Sequence, residues 1–543
     1  MYELVEAYAE GARRCREAGV EVISIHGAHG YLVHQFLSPA RNLRTDEFAD
    51  PLRFLDLVIE AVRLRAGADV AVGLRISAHE GVEGGLTAGS TFELISRARL
   101  DLLDFLDVSA GSYEAGQWII QPGEWERGLL APYAAPYRAL GLPVGVAGRI
   151  STPDSAEAIV AGGLADFVSL ARTLHADPDF PRHALTGGSY RPCIACNLCI
   201  DRLGTGEPIP CSVNTMAGRE YLGAPSAVGK RASVLVVGAG PAGLEAARLL
   251  AGQGLRVRVL ERAGHVGGRF ALACRLAAYP EYHRILQWHT AELDRLGVTV
   301  RTGVTVTEEV LARHEADAIV LATGGTGHLP EVPGVRLPHV LDVRDWLALE
   351  FDVRDRPTLD SDVRGRAALD ADVPRACVIW GADREGVAVA DHLATAGAEV
   401  LLIGSQPSLA PEVGRRAKII MLPRLTGNPK VRFLATSTIS AIEPDRLLIR
   451  SGCREEWRPV AGPLLISHGV LPRTDLLAAC EARRPRLGVH VIGDAGGSGG
   501  SIHRCFLAAE ETARTIAHAI AHAPAPVITP AIDTAIDTDD HAS

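Results

Sequence analysis

The sequence lacks an excess of positive charge and any long apolar run. Its 543 residues include 55 Lys and Arg against 65 Asp and Glu, a formal net charge of −10. This balance argues against nucleic acid or an anionic membrane surface as a partner. No stretch approaches the ~18 apolar residues of a membrane span, and the N-terminal MYELVEAYAEGARRC is acidic and amphipathic, unlike a signal peptide. These absences predict a cytoplasmic protein.

Cysteine is scarce outside one segment. Ten cysteines in a chain of this length do not suit a disulfide scaffold, which is typical of short secreted proteins. Six of them are scattered singly, and such cysteines are more often small buried apolar residues than ligands. These six are Cys15, Cys274, Cys377, Cys453, Cys480 and Cys505.

The other four cysteines have the spacing of a metal-ligand set. Cys193, Cys196 and Cys199 lie within seven residues, and Cys211 follows after eleven more. Structural zinc sites usually use two cysteine pairs that are a dozen or more residues apart. Three close cysteines and a remote one are typical of an iron–sulfur cluster. The spacing therefore favours a [4Fe–4S] cluster, with zinc or no metal as the alternatives.

Residues 1–190 alternate between helical patterns and short β-rich runs. Apolar strands that alternate with helices predict an α/β fold with a parallel sheet. Side chains suited to binding or catalysis stand at the ends of predicted strands, where a (β/α)8 barrel places its active site and its phosphate site. These side chains are His26, Arg75, Arg149 and Arg172. The predicted strands span 20–27, 70–77, 103–111, 142–150 and 165–172.

Three motifs in this region resemble the Old Yellow Enzyme family, in which a barrel binds FMN. SIHGAHGYLVHQFLSPARNLRTDEF carries the resemblance, and LPVGVAGRI and DFVSLARTLHADPDF look like the last two barrel strands of that family. The resemblance implies that Gly148, Arg149 and Arg172 hold the FMN phosphate. It also implies that Arg75 lies against the isoalloxazine.

The same resemblance implies a catalytic group. His26 and His29 match the pair that hydrogen-bonds a substrate carbonyl, and Tyr31 matches the proton donor. Two imidazoles can stabilise enolate-like charge as hydride arrives from reduced flavin, and a phenol can protonate the α-carbon. Nearby, Tyr113 and Trp118 either line the substrate pocket or pack within a loop.

The number of βα units departs from the family. A closed barrel needs eight, whereas this region supplies about five, and three family strands that contact FMN and substrate have no counterpart. We therefore expect the C-terminal five βα units of a TIM barrel. Three explanations for the missing strands stay open: the start of the sequence is misassigned, the chain is a fragment, or another chain completes the barrel. An open half-barrel would expose apolar strand edges.

Residues 233–261 predict a dinucleotide site. Gly238, Gly240 and Gly243 fill the G-x-G-x-x-G positions between a strand and a helix, and Glu261 ends the next strand. The glycines allow a tight turn and close approach of a pyrophosphate to the helix N-terminus, while the acid accepts from ribose hydroxyls.

Later motifs indicate that this dinucleotide is FAD. GHVGGRF, which contains Gly268 and Arg269, follows the second strand, and DAIVLATGG resembles the return strand of two-dinucleotide flavoproteins. LGVHVIGDAGG resembles the strand whose aspartate, here Asp494, approaches the flavin ribityl and pyrophosphate. The FAD domain is predicted to comprise residues 229–350 and 485–521.

The inserted segment 375–484 has the βαβ pattern of an NAD(P)H domain, but its fingerprint is degenerate. Asp383 replaces the middle glycine between Gly381 and Gly386, and its side chain and charge would oppose a pyrophosphate. Arg415 and Arg416 either meet a 2′-phosphate or form a solvated pair. Whether this segment binds NAD(P)H therefore stays open. Together with the FAD domain, it is predicted to form a pair of Rossmann-like nucleotide-binding domains of the glutathione-reductase-like type.

The module order resembles the 2,4-dienoyl-CoA reductase and trimethylamine dehydrogenase branch of the Old Yellow Enzyme superfamily. It runs from the partial barrel (1–190) through the iron–sulfur segment (191–228) to the nucleotide domains, followed by a disordered tail (522–543). The resemblance implies electron flow from NAD(P)H through FAD and the cluster to FMN and an activated alkene. An amine dehydrogenase that sends electrons outward from FMN, and a non-catalytic electron-transfer subunit, are the alternatives.

The expected partners follow from these functions. They are a small-molecule substrate and a protein electron donor or acceptor. We also expect either that the chain forms a homo-oligomer or that a further N-terminal segment completes the barrel.

Overall fold

The computed structural model describes residues 1–223, 227–228, 232–352 and 374–522. The predicted tail lies outside this part of the chain except for His522, which ends the last helix, and most of the polar linker 351–374 lies outside it as well. No helix within the described residues is long and apolar enough to cross a membrane.

The N-terminal region forms the predicted parallel sheet. Its five strands pair in chain order, β1-β2-β3-β4-β5, and all neighbours are parallel. The strands are β1 Val22–Gly27, β2 Ala71–Ser77, β3 Phe105–Ser109, β4 Val144–Ala147 and β5 Phe167–Ser169. Each predicted strand is therefore confirmed, with ends trimmed by one to three residues where loop residues begin.

Helices alternate with these strands and cover the apolar core. One of the two longest, α3, begins after Asp50, whose side chain accepts from the Leu52 amide, and is followed by Gly67 with φ of +76°. The helices of this region are α1 Tyr2–Glu17, α2 Leu32–Leu37, α3 Pro51–Ala66, α4 Ala88–Ile95, α5 Gly116–Ile119, α6 Ala131–Ala134, α7 Pro153–Ala161, α8 Arg172–Ala176 and α9 Phe180–Thr186.

The next part of the chain carries the cysteine segment and the first nucleotide-type sheet. Its helices are α10 Leu198–Asp201, α11 Pro241–Gly252, α12 Gly268–Ala273, α13 His283–Arg295, α14 Glu308–Ala312 and α15 Val343–Asp352. Its strands are β6 Ser233–Val237, β7 Arg256–Leu260, β8 Thr299–Arg301, β9 Ala318–Leu321, β10 Gly325–Gly327 and β11 Val340–Asp342.

The last part holds the second sheet and the return to the first. Its strands are β12 Ala376–Trp380, β13 Glu399–Ile403, β14 Val431–Leu434, β15 Ser437–Ile442, β16 Arg446–Ser451, β17 Arg454–Pro459, β18 Leu464–Ile466, β19 Val470–Pro472 and β20 Val489–Val491. Its helices are α16 Arg384–Thr395, α17 Met421–Thr426, α18 Leu477–Ala482 and α19 Ile502–His522.

Both nucleotide-type sheets are parallel and five-stranded. The first has the order β20-β9-β6-β7-β8, so the motif at 487–497 returns to the first sheet as the sequence predicts. The second has the order β11-β18-β12-β13-β14, and it therefore also takes in a strand that precedes residue 375. An antiparallel meander, β15-β16-β17, and a short β10-β19 pair complete the sheets.

Polar contacts join the halves of the chain. Arg424 of α17 binds Asp391 through Nε at 2.8 Å and Glu124 of the N-terminal region through Nη2 at 2.8 Å. Asp201 of the cysteine segment accepts from the backbone amides of Arg416 and Ala417 at 2.7 and 3.2 Å. The second sheet is thus docked on the N-terminal region and on the cysteine segment.

Candidate functional site

The C-terminal ends of β2 to β5 open onto a cleft. Its lining includes all four residues that the sequence assigns to FMN, which are Arg75, Gly148, Arg149 and Arg172. Ser109 and Cys193 also line it. Parallel strands bring these side chains together because their carboxyl ends meet at one edge of the sheet. The cleft therefore connects the predicted flavin residues with the first cysteine of the cluster motif.

Arg149 is held in an unusual conformation at this cleft. Its φ is +53°, and Gly148 before it has φ of +123°, a sequence of left-handed conformations that only glycine adopts without strain. Its Nη2 donates to Glu281 at 2.7 Å, while its buried Nε has no partner among the described residues. A buried guanidinium edge without a partner suits an anionic ligand, and the cleft in this respect fits the phosphate of FMN.

The other two arginines are fixed by neighbouring groups. Arg75 donates to Asp107 on the adjacent strand at 2.6 Å, and Asp107 also accepts from Ser169 at 3.0 Å. Arg172 donates to the Asn197 side chain at 2.7 Å and to the Gln121 carbonyl. Since Asn197 lies between two cysteines of the motif, Arg172 ties the cleft to the cysteine segment.

The predicted catalytic residues form one aromatic group beside the cleft. The His26 ring lies 5.1 Å from that of His29 and 5.0 Å from that of Tyr31, between centroids. The His29 Nε2 is 2.8 Å from the Ser109 hydroxyl, which lines the cleft. Tyr31 is 46% exposed, and its hydroxyl is 2.7 Å from that of Tyr113.

Electrostatics keep both imidazoles neutral. Burial and the nearby Arg75 lower the pKa of His26, and burial lowers that of His29 to about 3, helped by Arg75 and the other histidines. The hydrogen bond with Tyr113, together with burial, raises the pKa of Tyr31. The group therefore offers neutral imidazole hydrogen bonds and a protonated phenol at neutral pH.

The four cysteines of the motif lie in one buried region. Cys193, Cys196 and Cys211 belong to one apolar cluster, and the Cys196 thiol donates to Ser212 at 3.0 Å. Burial, together with Cys196 and Cys193, raises the pKa of Cys199 to about 12. Four thiols that influence one another suit an iron–sulfur cluster chemically. Among the described residues, however, no group of three or more His, Cys, Asp or Glu is positioned as a metal site.

The first nucleotide-type sheet has an open glycine turn. A Cβ on Gly238 would lie 2.3 Å from the Ala322 carbonyl, and one on Gly243 would lie 2.0 Å from the Gly238 carbonyl, so both positions require glycine. A Cβ on Gly240 would meet no atom within 4 Å. Gly268 packs against Gly240. The turn thus leaves space at the N-terminus of α11, and it fits a dinucleotide pyrophosphate.

The remaining predicted FAD residues surround this turn. Nη1 of Arg269 is buried and lacks a partner within the residues described, and burial and Arg344 lower the pKa of Arg269. Asp494 accepts from the Gly500 amide at 3.2 Å and interacts electrostatically with Arg269. The Glu261 carboxylate accepts from the backbone amides of Ala239, within the glycine turn, and of Ala263, and its contact with a ribose stays a prediction.

The second sheet repeats this turn with one change. A Cβ on Gly381 would lie 1.8 Å from the Ser467 carbonyl, and one on Gly386 would lie 2.0 Å from the Gly381 carbonyl. The Asp383 carboxylate fills the place that is open at Gly240, accepting from the Gly386 amide at 2.9 Å and from the Ser467 hydroxyl at 2.6 Å. A side chain of the protein therefore caps this helix where a pyrophosphate would bind.

Several site residues escaped the sequence prediction. Asp107 was detectable, because it is an isolated acidic residue inside an apolar strand, and in the structure it stands beside Arg75 in the strand register. Glu281 and Asn197 carry no local signal, since only tertiary structure brings them to Arg149 and Arg172. Of the two arginines that the sequence assigned to a 2′-phosphate or to a solvated pair, Arg415 is exposed, whereas the Arg416 guanidinium packs against Gly116 of the N-terminal region.

Two family matches cover most of the chain. Residues 1–188 match the NADH:flavin oxidoreductase / NADH oxidase family. Residues 232–495 match the pyridine nucleotide-disulphide oxidoreductase family. The matches confirm the predicted family and oxidoreductase class, with a TIM-barrel-like domain followed by a nucleotide-binding region.

Curated relatives agree with these matches. An NADH oxidase of Thermoanaerobacter brockii is 32% identical over 435 residues, covering 78% of this chain and 64% of the relative. An N,N-dimethylglycine/sarcosine dehydrogenase of Chromohalobacter salexigens is 33% identical, covering 61% and 50%. A cinnamate reductase of Clostridium sporogenes is 29% identical, covering 61% and 53%. The chain thus spans about half to two thirds of the length of these relatives.

Solved structures match almost the whole chain. A 2-naphthoyl-CoA reductase complex has a TM-score of 0.84 at 24% identity, over 95% of this chain and 76% of its own. Histamine dehydrogenase from Rhizobium sp. 4-9 has a TM-score of 0.80 at 24% identity, over 100% and 79%. At this identity the likeness establishes the fold alone. The chain therefore combines a domain of the NADH:flavin oxidoreductase / NADH oxidase family with a domain of the pyridine nucleotide-disulphide oxidoreductase family.

Proposed function

We propose that the chain is a flavin- and iron–sulfur-dependent oxidoreductase that passes electrons between NAD(P)H, FAD, a [4Fe–4S] cluster and FMN to reduce an activated C=C bond. The observation that carries this proposal is the position of the cysteine segment. Cys193 lines the cleft on one side, and on the other it packs in the same apolar cluster as Phe270, which follows Gly268 and Arg269. A cluster held there would lie between the two flavin sites.

The N-terminal sheet supplies the proposed substrate site. Its five βα units correspond to the C-terminal part of a TIM barrel, and Gly148, Arg149 and Arg172 would hold the FMN phosphate while Arg75 lies against the ring. When bound, reduced FMN supplies a hydride. The cleft arginines offer fixed positive charge, and Arg75 is kept in place by Asp107.

The aromatic group supports reduction of an enone, enal or similar acceptor. Neutral His26 and His29 would hydrogen-bond the substrate carbonyl and stabilise the negative charge that develops on it. Tyr31 would then donate its proton to the α-carbon. Its exposed hydroxyl is accessible to substrate, and the hydrogen bond with Tyr113 provides a second phenol from which the proton can be replaced.

The cluster and FAD complete the proposed electron path. Cys193, Cys196, Cys199 and Cys211 would hold the cluster, which transfers single electrons. The turn of Gly238, Gly240 and Gly243 with Arg269 and Asp494 would hold FAD. These residue roles extend the family match, which establishes the domains and not the ligands.

A second candidate is an amine dehydrogenase that releases electrons to a protein acceptor. Asp383 favours it, because a carboxylate at the N-terminus of α16 opposes a dinucleotide there, and this activity needs no NAD(P)H. One curated relative is named as an N,N-dimethylglycine/sarcosine dehydrogenase. Against it, residue 26 is a histidine, and a neutral imidazole that donates a hydrogen bond suits a carbonyl better than a cationic amine.

Anaerobic mixing separates the two activities. The full chain, loaded with FMN, FAD and iron, is mixed with NADH or NADPH and then with cinnamaldehyde. The proposal predicts bleaching of the flavin absorbance followed by its return when the alkene is added. Bleaching by dimethylglycine with no response to either nicotinamide would instead establish the amine dehydrogenase. Bleaching by NADH without reoxidation by the alkene would contradict the substrate assignment.

A further inference from the structure

A carboxylate from the nucleotide-binding half lies against the N-terminal cleft. Glu281, two residues before α13, is 5% exposed. Its Oε1 accepts from Nη2 of Arg149 at 2.7 Å and from Nε of Arg127 at 2.9 Å. Its Oε2 accepts from Nη1 of Arg284 at 2.9 Å. Three guanidinium groups from both halves of the chain therefore share this one carboxylate.

The charges in this group do not cancel. One carboxylate faces three guanidinium groups, so two positive charges remain beside the cleft. Burial by itself would raise the pKa of Glu281, but the hydrogen bond from Arg127 and the charges of Arg149 and Arg284 lower it to about 2. Glu281 is thus ionised at neutral pH, and it orients the guanidinium groups without neutralising them.

The Arg149 guanidinium is held at one nitrogen and, among the residues described, unpaired at another. Nη2 is bound to Glu281, whereas the buried Nε has no partner among the residues described, and the residue lines the cleft. Its left-handed backbone, with φ of +53°, is unfavourable for a residue with a side chain and persists only where neighbouring groups hold it. Glu281 is such a neighbour.

Arg284 strengthens the same connection. Its Nη2 donates to the Ser151 carbonyl at 3.0 Å, and its Nη1 donates to the Ser151 hydroxyl at 3.1 Å. Ser151 lies two residues after Arg149 and lines the cleft. Helix α13 therefore holds both the backbone and the side chain of the loop that contains Arg149.

We propose that Glu281 is a positioning residue for phosphate recognition. It holds Arg149 through Nη2, so that the unpaired Nε–H can bind the phosphate monoester of FMN. This inference rests on the proposed function, and it adds that the nucleotide-binding half completes the phosphate site of the N-terminal half. Glu281 itself would not touch the flavin.

Riboflavin provides the decisive comparison, because it is FMN without the phosphate. The full chain is freed of flavin, reloaded with FAD and titrated with FMN or riboflavin while flavin fluorescence is measured. Glu281→Gln is expected to weaken FMN binding about tenfold and to change riboflavin binding less than about twofold. Glu443→Gln, which removes the partner of Arg446 at 2.7 Å in the turn between β15 and β16, serves as the matched control and should change neither.

The double variant separates positioning from a general structural effect. If Glu281 acts through Arg149, Glu281→Gln should add no further loss in an Arg149→Ala background, since the two residues form one unit. Equal losses of FMN and riboflavin, or additive effects, would overturn the positioning role.

The same titrations distinguish failure of this inference from failure of the FMN site. If Arg149→Ala weakens FMN selectively while Glu281→Gln does not, the inference fails and the proposed phosphate site stands. If Arg149→Ala leaves the preference for FMN over riboflavin unchanged, the phosphate site itself is wrong, and the role of Glu281 falls with it.

Discussion

Asp383 stands at the middle position of the glycine fingerprint in the second nucleotide-type domain. Its carboxylate occupies the space that is open at Gly240 in the first domain, and it caps α16 through the Gly386 amide. The neighbouring glycines keep the close approaches of a dinucleotide turn. We therefore predict that Asp383→Gly strengthens NADH binding.

The magnitude follows from charge and capping. One unit of pyrophosphate charge about 5 Å from a carboxylate costs roughly 3 kcal/mol at an effective dielectric constant of about 20. Burial raises the pKa of Asp383, whereas its hydrogen bonds with the Ser467 hydroxyl and the Gly386 amide lower it. Replacing an N-cap aspartate with glycine costs only a few tenths of a kcal/mol. After these opposing effects, Asp383→Gly should still bind NADH at least about tenfold more tightly than the unchanged chain, which corresponds to ~1.4 kcal/mol.

The assay is anaerobic stopped-flow reduction of the FAD-loaded full chain, which gives the NADH concentration at half-maximal rate of flavin bleaching. Asp383→Asn keeps the cap and the size of the side chain but removes its charge. If this variant binds NADH more tightly than the unchanged chain but more weakly than Asp383→Gly, the volume of the side chain opposes binding in addition to its charge. Ser467→Ala removes the hydrogen bond at 2.6 Å and keeps the carboxylate, and it should not improve binding. Unchanged or weaker NADH binding in Asp383→Gly would refute the reasoning.

Three further predictions concern the N-terminal site and the cysteine segment. Tyr31→Phe should slow alkene reduction at least about tenfold, since a proton donor typically contributes 10²–10⁴-fold. The rate of flavin bleaching by NADH should stay unchanged. Unchanged alkene turnover would show that Tyr31 is not the proton donor. Because burial lowers the pKa of both His26 and His29, they are neutral at neutral pH, and the rate of alkene reduction should show no step near ~6.5, the ordinary histidine pKa. A step there would mean that a protonated imidazole contributes. Cys199→Ala should lose the bound iron, measured by elemental analysis, whereas the exposed Cys453→Ala should retain it; iron retained in both variants would reject Cys199 as a ligand.

The parts of the fold that repeat a local pattern were predictable from the sequence. The strands at 70–77 and 103–111 are apolar runs bounded by loop residues, and they form parallel neighbours as expected. The first glycine turn was predictable from its G-x-G-x-x-G spacing between two strands. In the structure, Gly238 and Gly243 have no room for a side chain. Arg75 and Arg149 reach one cleft because strand ends in a parallel sheet meet at one edge.

Contacts between distant segments were not predictable. Glu281 looks like an ordinary acidic residue in a helix-forming stretch, and only docking of α13 places it against Arg149, 132 positions away. Arg416 looked available for a phosphate, but it packs on Gly116 while its amide binds Asp201. Glu261 accepts from the amide of Ala239, 22 positions earlier in the glycine turn, and from that of Ala263, while its contact with a ribose stays a prediction. No local pattern encodes these pairings.

The central claim is that one chain carries two flavins joined by an iron–sulfur cluster. The most direct measurement is the cofactor content of this chain purified under anaerobic conditions, with acid-extracted flavins separated by chromatography and iron determined per chain. The account predicts FMN and FAD in equal amounts and about four iron atoms per chain, as a [4Fe–4S] cluster requires. FAD without FMN would contradict the N-terminal flavin site, and flavins without iron would contradict the role of the four cysteines.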